Sequence, residues 1–344
     1  RDRMTSVFPT RQKTSVVPPF GGVRHGGVSP WPAFLARRIG RMIVALFIIV
    51  TAAFLVLRAA GGDPVRAALG PTADASVVEA RREQLGLNDP LIVQFWNYIT
   101  GIFLRGDLGV SLITGRSVNE LVENRLPPTI QLAGVAFLVI LLVAIPLGLL
   151  IAILTQGGKR RDVEVGFTGV TGFLAAVPEY LIGVALLITF AITWRVFPVA
   201  GMHGPQSFVL PVLALSIGAS AALARIARIE ALNVLGDDYV RTGRSKRLPS
   251  WIIYFRHALP NMLTATLTLG GALLATMITA SVLVEQVFNW PGLGSAFVQA
   301  IITKDYGIVQ GLAIVYAVII LVVNLLVDIV LALLDRRTTL LETA

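Results

Sequence analysis

The chain has no cysteine and only three histidines in 344 residues. A disulfide framework, thiol chemistry and a cysteine-based metal site are thereby excluded. His25, His203 and His257 are far apart in sequence and do not form a ligand cluster, so no metal site is expected. There is no nucleophile elbow and no Ser/His/Asp set at a supporting spacing, so no catalytic residues are expected either. A phosphate-binding loop needs Gly, four residues, then Gly-Lys-Ser/Thr. The nearest stretch is Gly158-Lys159-Arg160, with Ile153 where the first glycine belongs, so the pattern fails. If ATP drives this protein, another subunit holds the nucleotide.

Charge is scarce as well. Only 14% of residues are Asp, Glu, Lys or Arg against 55% hydrophobic, and the mean hydropathy is +0.76. A soluble domain of this length carries far more surface charge. Apolar runs long enough to cross a hydrocarbon core of roughly 30 Å recur, which makes this an all-α polytopic membrane protein. Six transmembrane helices are expected, at 39–57, 129–154, within 165–194, at 208–224, 262–283 and 308–333. The third is interrupted by Pro178-Glu179. No repeat of fixed period is present.

The net charge of +9 is explained by topology and needs no nucleic-acid partner. Eight Lys and Arg residues precede position 42, Lys159, Arg160 and Arg161 lie between spans two and three, and seven lie in 225–260. Arg336 and Arg337 follow the last span. In a six-span arrangement these segments share one side. The first loop on the other side, 59–128, has eight acids against six arginines. Both termini are therefore cytoplasmic. Residues 1–30 are rich in Pro, Gly, Ser and basic residues and are expected to be a disordered cytoplasmic tail, with Met4 a candidate natural start. Residues 31–337 form the expected membrane domain and 338–344 a short C-terminal tail.

Within the first outer loop, Ile92, Phe95, Trp96, Ile99, Ile102 and Phe103 share one helical face. A helix lying on the membrane surface and a helix packed on the spans both fit that pattern. Inside the spans, Glu179 has two readings: a group lining the substrate path, or one that satisfies backbone freed by Pro178. Asn324 and Asp328 share a face, and Asp328, toward the cytoplasmic end of its span, is expected to pair with a basic loop residue. Gly270 and Gly271 head a run of small residues in span five that permits close helix approach, by ordinary packing or at a gating seam.

The most distinctive stretch is 225–261, a long basic block between two apolar spans. It contains Asp238-Tyr239-Val240-Arg241-Thr242-Gly243-Arg244-Ser245-Lys246-Arg247-Leu248-Pro249 and then Arg256-His257-Ala258-Leu259-Pro260-Asn261. The block resembles the cytoplasmic coupling loop of binding-protein-dependent ABC importer permeases, in its peptide-transporter form. Gly243 and Ser245 stand where the pattern has alanine. Arg247 stands at its turn glycine, where a left-handed conformation costs a non-glycine residue about 1–2 kcal/mol. Further stretches carry the resemblance across most of 31–337: Gly62-Asp63-Pro64-Val65, Leu85-Gly86-Leu87-Asn88-Asp89-Pro90, Gly106-Asp107-Leu108-Gly109-Val110-Ser111, Val284-Glu285-Gln286-Val287-Phe288, Pro291-Gly292-Leu293-Gly294, Asn324-Leu325-Leu326-Val327-Asp328 and Asp335-Arg336-Arg337. Those of the first outer loop are similar to the B-type subunit of dipeptide and oligopeptide permeases.

The resemblance implies an ABC type I importer permease fold and alternating-access import of di- or oligopeptides. It implies a C-type partner permease, two ATPase subunits or domains that hold ATP and Mg, and an extracytoplasmic solute-binding protein, all meeting in the bacterial cytoplasmic membrane. It makes the 238–259 helices the ATPase contact, with Arg241, Arg244, Lys246 and Arg247 as its cations and Tyr239 and Leu248 as apolar anchors. Three other readings stay open: ABC import of a nickel chelate, haem or sugar; a secondary carrier coupling protons through Glu179 and Asp328; and a membrane scaffold that transports nothing.

Overall fold

A computed structural model describes residues 31–59, 64–70, 72–84 and 86–334. Gly62-Asp63, Leu85, Asp335-Arg336-Arg337 and both tails lie outside the described residues. The helices are α1 (Trp31–Ala59), α2 (Pro64–Leu69), α3 (Ala75–Gln84), α4 (Leu91–Arg105), α5 (Val118–Thr155), α6 (Arg161–Ala176), α7 (Glu179–Leu186), α8 (Pro205–Gly236), α9 (Asp238–Ser245), α10 (Leu259–Val287), α11 (Leu293–Ile302) and α12 (Tyr306–Leu334). Among the described residues five are long and apolar enough to cross a membrane, and the bent pair formed by α6 and α7, taken as one span, makes six. The bend is 92°. Its cause is local: Pro178 has no N–H and cannot continue α6, and its carbonyl instead accepts from Leu181 and Ile182 at 3.0 and 3.2 Å to start α7.

Two spans run much further than apolarity alone predicts. α5 begins at Val118, with Pro127 and Pro128 inside it, and α8 continues to Gly236 without a break. The first dozen residues of the basic block are therefore the cytoplasmic end of a transmembrane helix and not a loop. Hydropathy marks where a helix leaves lipid, whereas helix length is set by what its ends pack on.

α8 is the axis of the bundle. Two thirds of its apolar window is buried, against 11% for α1. Without a hydrophobic force between helices in lipid, close approach through small residues does the packing. Ser216, Gly218, Ser220, Ala221, Ala224, Ala227 and Ala231 are buried along α8. A Cβ at Gly148 of α5 would sit 2.8 Å from the Ala224 carbonyl oxygen, so the two backbones touch there. α4 packs on a span, as one of its two readings had it: Phe95 and Tyr98 meet Phe54 of α1 at 5.3 and 5.7 Å, while Ile92, Trp96 and Leu104 are exposed.

The outer ends are held by two buried acids. Glu285, with no exposed surface, lies in the last turns of α10 and accepts from the Thr129 hydroxyl of α5 at 2.8 Å. It also accepts from the N–H groups of Gly294 and Ser295 at 2.7 and 3.3 Å, which open α11. Thr129 in turn accepts from the Leu293 N–H at 2.8 Å, and the Trp290 indole donates to the Pro128 carbonyl at 3.1 Å. Gly292 and Gly294 are required for close approach, because a Cβ on either would overlap Glu285. The second acid, Asp305, accepts from the Ser111 hydroxyl and from the Leu112 N–H at 3.0 Å. It seats the 108–112 segment against Gly307 and Gly311 of α12, where any Cβ would strike that segment or Val118.

Removing Glu285 strands donors on three residues, at about 1–3 kcal/mol each. Glu285→Ala is expected to lower the thermal unfolding midpoint of the purified protein in detergent strongly. Glu285→Gln keeps an acceptor and should lose clearly less. Equal midpoints for the two variants would show that the hydrogen bonds are not what hold this corner.

Candidate functional site

The cytoplasmic block follows directly from α8. Asp237 breaks the helix in extended conformation, and α9 restarts at Asp238. α9 ends in a Schellman turn with Arg247 left-handed at φ 53°. The Leu248 N–H donates to the Gly243 carbonyl at 3.2 Å and the Arg247 N–H to the Arg244 carbonyl at 2.9 Å. The left-handed turn is present although arginine stands at the pattern's turn glycine, and arginine bears its strain. Gly243 is buried, and a Cβ there would lie 3.7 Å from Leu248 and 3.8 Å from Ile253. Leu248 therefore folds back onto its own helix end as the apolar clasp of the turn. Its expected role as an outward anchor is reduced.

Pro249 then starts the second helical piece, its carbonyl accepting from Ile252 and Ile253 at 3.0 and 3.4 Å. Residues Ile252–Ala258 form a π-helical stretch before α10. Pro260 supplies a reason: it lacks an N–H and its ring crowds the carbonyl four residues back, so the helix widens ahead of it. The Leu259 N–H reaches Tyr254, five residues back. The two pieces are joined by Asn261, whose amide donates to the Tyr239 hydroxyl at 3.0 Å and to the His257 carbonyl at 2.7 Å. Partial burial pushes the Tyr239 hydroxyl above its ordinary range, so it stays neutral at physiological pH.

The cations divide into two groups. Arg244 donates to the Gln156 side-chain oxygen at 3.0 Å, and Gln156 donates to the Leu235 carbonyl at 3.2 Å, so α9 is tied to the end of α5 and to α8. Nearby, Arg228 of α8 pairs with Glu164 of α6 at 2.7 Å and donates to Thr155 of α5. Arg241 meets Asp238 at 3.6 Å, an exposed pair of little energetic weight. Lys246, Arg247 and Arg256 are exposed with no side-chain partner among the described residues. Thr242 back-bonds to the Asp238 carbonyl at 2.9 Å, and Ser245 is exposed. The sequence reading missed Trp251 and Phe255, 64% and 62% exposed, which with Tyr239 form the apolar part of this surface. Their i, i+4 spacing after Pro249 was the available signal.

The remaining sequence candidates lie elsewhere. Glu179 is half-buried in the first turn of α7, beside Pro178, and its carboxyl group has no hydrogen bond or ion pair among the described residues. Asp328 pairs with Arg38 at 3.0 Å; the partner is a helical residue of α1 and not a loop residue. Asn324, one turn away, is exposed. Gly270 faces Leu223 of α8 and Leu141 of α5, and Gly271 faces Val327 of α12. Both glycines thus serve packing inside this chain.

The sequence matches the family described as binding-protein-dependent transport system inner membrane component over residues 144–340. It matches the N-terminal membrane component of the same systems over residues 32–133. It is 33% identical over 300 residues to the glutathione transport system permease protein GsiC of Salmonella choleraesuis, covering 87% of this chain and 96% of that protein. Against GsiC of Escherichia coli K12 the identity is 31% with the same coverage. Among solved structures, an inward-facing form of the MetNI methionine ABC transporter superposes with a TM-score of 0.53 at 16% identity, over 62% of this chain and 96% of that one. That likeness concerns the fold alone.

Arg247→Gly is expected to relieve about 1–2 kcal/mol of left-handed strain, offset by roughly 0.5–1 kcal/mol of glycine entropy. Amide exchange at 246–248 should slow by roughly two- to fivefold. Arg247→Val should accelerate it, because a β-branched residue tolerates positive φ worst. Unchanged exchange in both variants would count against a strained turn.

Proposed function

The chain belongs to the family of binding-protein-dependent transport system inner membrane components, permease subunits of ABC importers in the bacterial inner membrane, and from that membership we propose that it imports di- or oligopeptides as one of two permease subunits coupled to separate ATPases. The observation that carries the coupling role is the surface made by α9 and the π-helical stretch. It offers exposed Lys246, Arg247 and Arg256 together with exposed Trp251, Phe255 and Tyr239, the aromatic and cationic residue types favoured in protein docking. The Asn261–Tyr239 bond makes the two pieces move as one. ATP binding in the partner subunits draws this surface inward, and the spans open outward to receive substrate from a solute-binding protein. Hydrolysis resets the bundle. ATP and Mg belong to those partners.

The peptide substrate is supported by the similarity to GsiC and by the peptide-type coupling motif. Nickel chelates, haem and sugars remain the competing cargoes of this reading. Proton coupling is disfavoured by the Arg38–Asp328 pair, which gives one of its two carboxylates a structural partner. Glu179 keeps the role of a path-lining group that contacts a cationic part of the substrate.

The test uses the chain assembled with its partner subunits in proteoliposomes. Lys246→Glu combined with Trp251→Ala should lower binding-protein-stimulated ATP hydrolysis and uptake together by at least tenfold, while the permease pair still co-purifies. Lys246 and Trp251 are chosen because neither side chain makes a hydrogen bond or ion pair among the described residues. Wild-type coupling in the double variant would remove this surface from the ATPase contact.

A further inference from the structure

At the outer face, a cavity of about 390 Å³ opens between the start of α5, the end of α10, α11 and the turn at Thr114. Its size falls at the lower end of the roughly 300–1,000 Å³ typical of small-molecule sites. Two charged residues line it, Arg125 and Asp305. Asp305 is 2% exposed, and each of its carboxyl oxygens already accepts a hydrogen bond, from Ser111 and from Leu112. Arg125 is half-buried, and its guanidinium has no acceptor among the described residues. The side chains of Gln286, Asn289 and Gln299 line the same cavity, and their amides make no hydrogen bond among the described residues.

A half-buried guanidinium with no hydrogen-bonded acceptor has its donors to offer, since the Asp305 oxygens are taken by Ser111 and Leu112, and its planar fork matches a carboxylate in two parallel hydrogen bonds. Three unbonded amides around the same space supply further donors and acceptors for a peptide backbone. We propose that this cavity is an outer receiving site for the substrate's terminal carboxylate, with Arg125 as its anion-binding residue and Gln286, Asn289 and Gln299 as backbone contacts. The site lies on the side from which substrate arrives in an importer. This inference rests on the peptide-import reading above. Asp305 and Glu285 fix the walls: one holds the turn bearing Thr114, the other the start of α11.

The experiment measures uptake of a mixed tripeptide library and of the same library C-terminally amidated, by mass spectrometry, in proteoliposomes containing the complete importer. Arg125→Gln should lower uptake of the free-acid library at least tenfold and change the amidated one less than twofold. Arg125→Lys should restore part of the free-acid uptake. The concentration of binding protein that half-stimulates ATP hydrolysis should stay constant. An equal loss of both libraries with that concentration raised would place an acidic side chain of the binding protein in the cavity and overturn the proposal. Equal loss without that change, or no loss, also overturns it. Wild-type protein that imports neither library would refute the peptide reading itself, a result distinct from a failure at Arg125.

Discussion

The fold depends on one buried carboxyl group. Glu285 joins the end of α10 to the start of α5 and to the first turn of α11, three elements that the chain brings together from positions 156 residues apart. In lipid there is no hydrophobic force to hold helix ends in register, and the first N–H groups of α11 need acceptors. A single acid meets both needs because its two oxygens point to different elements. Once it is in place, Gly292 and Gly294 must lack side chains, Trp290 is trapped against Pro128, and the direction of α11 is set.

At the outer face, Glu285 and Asp305 join α5, α10, α11, α12 and the 108–112 segment through buried hydrogen bonds. At the cytoplasmic face, Ala258, Tyr254 and Leu259 pack in a buried apolar cluster with Leu149, Ala152, Ala227, Ala231 and Leu235, and polar side chains add further contacts: Arg244 to Gln156, Gln156 to Leu235, Arg228 to Glu164 and Thr155. These form a continuous polar path from α9 to α5, α6 and α8.

Much of this architecture was legible in the sequence, and the limits are physical. Apolar runs located every span, and Pro178 located the bend because proline acts through its own missing N–H. The turn at Arg247 was marked only by the resemblance, whose pattern has a glycine there, because nothing in an arginine announces a positive φ. The true lengths of α5 and α8 were not legible, since their ends are stabilised by packing outside the apolar region. Nor was the role of Glu285, whose partners include Thr129 in another helix. The division of the block's arginines into tied and exposed ones depends on Gln156, which no local pattern connects to Arg244.

Three acids placed in or beside the apolar helices illustrate why residue type alone does not assign function. Glu285 is fully occupied by donors and builds the fold. Asp328 faces Arg38 and joins α1 to α12. Glu179 follows a proline break, where the helix dipole of α7 favours an acid, yet its carboxyl group meets no partner among the described residues. A half-buried acid in an apolar helix is maintained against its solvation cost only where something else uses it. Glu285 and Asp328 are thus committed to structure by their partners, whereas Glu179 stands at the 92° break between α6 and α7 with its carboxyl group unengaged among the described residues.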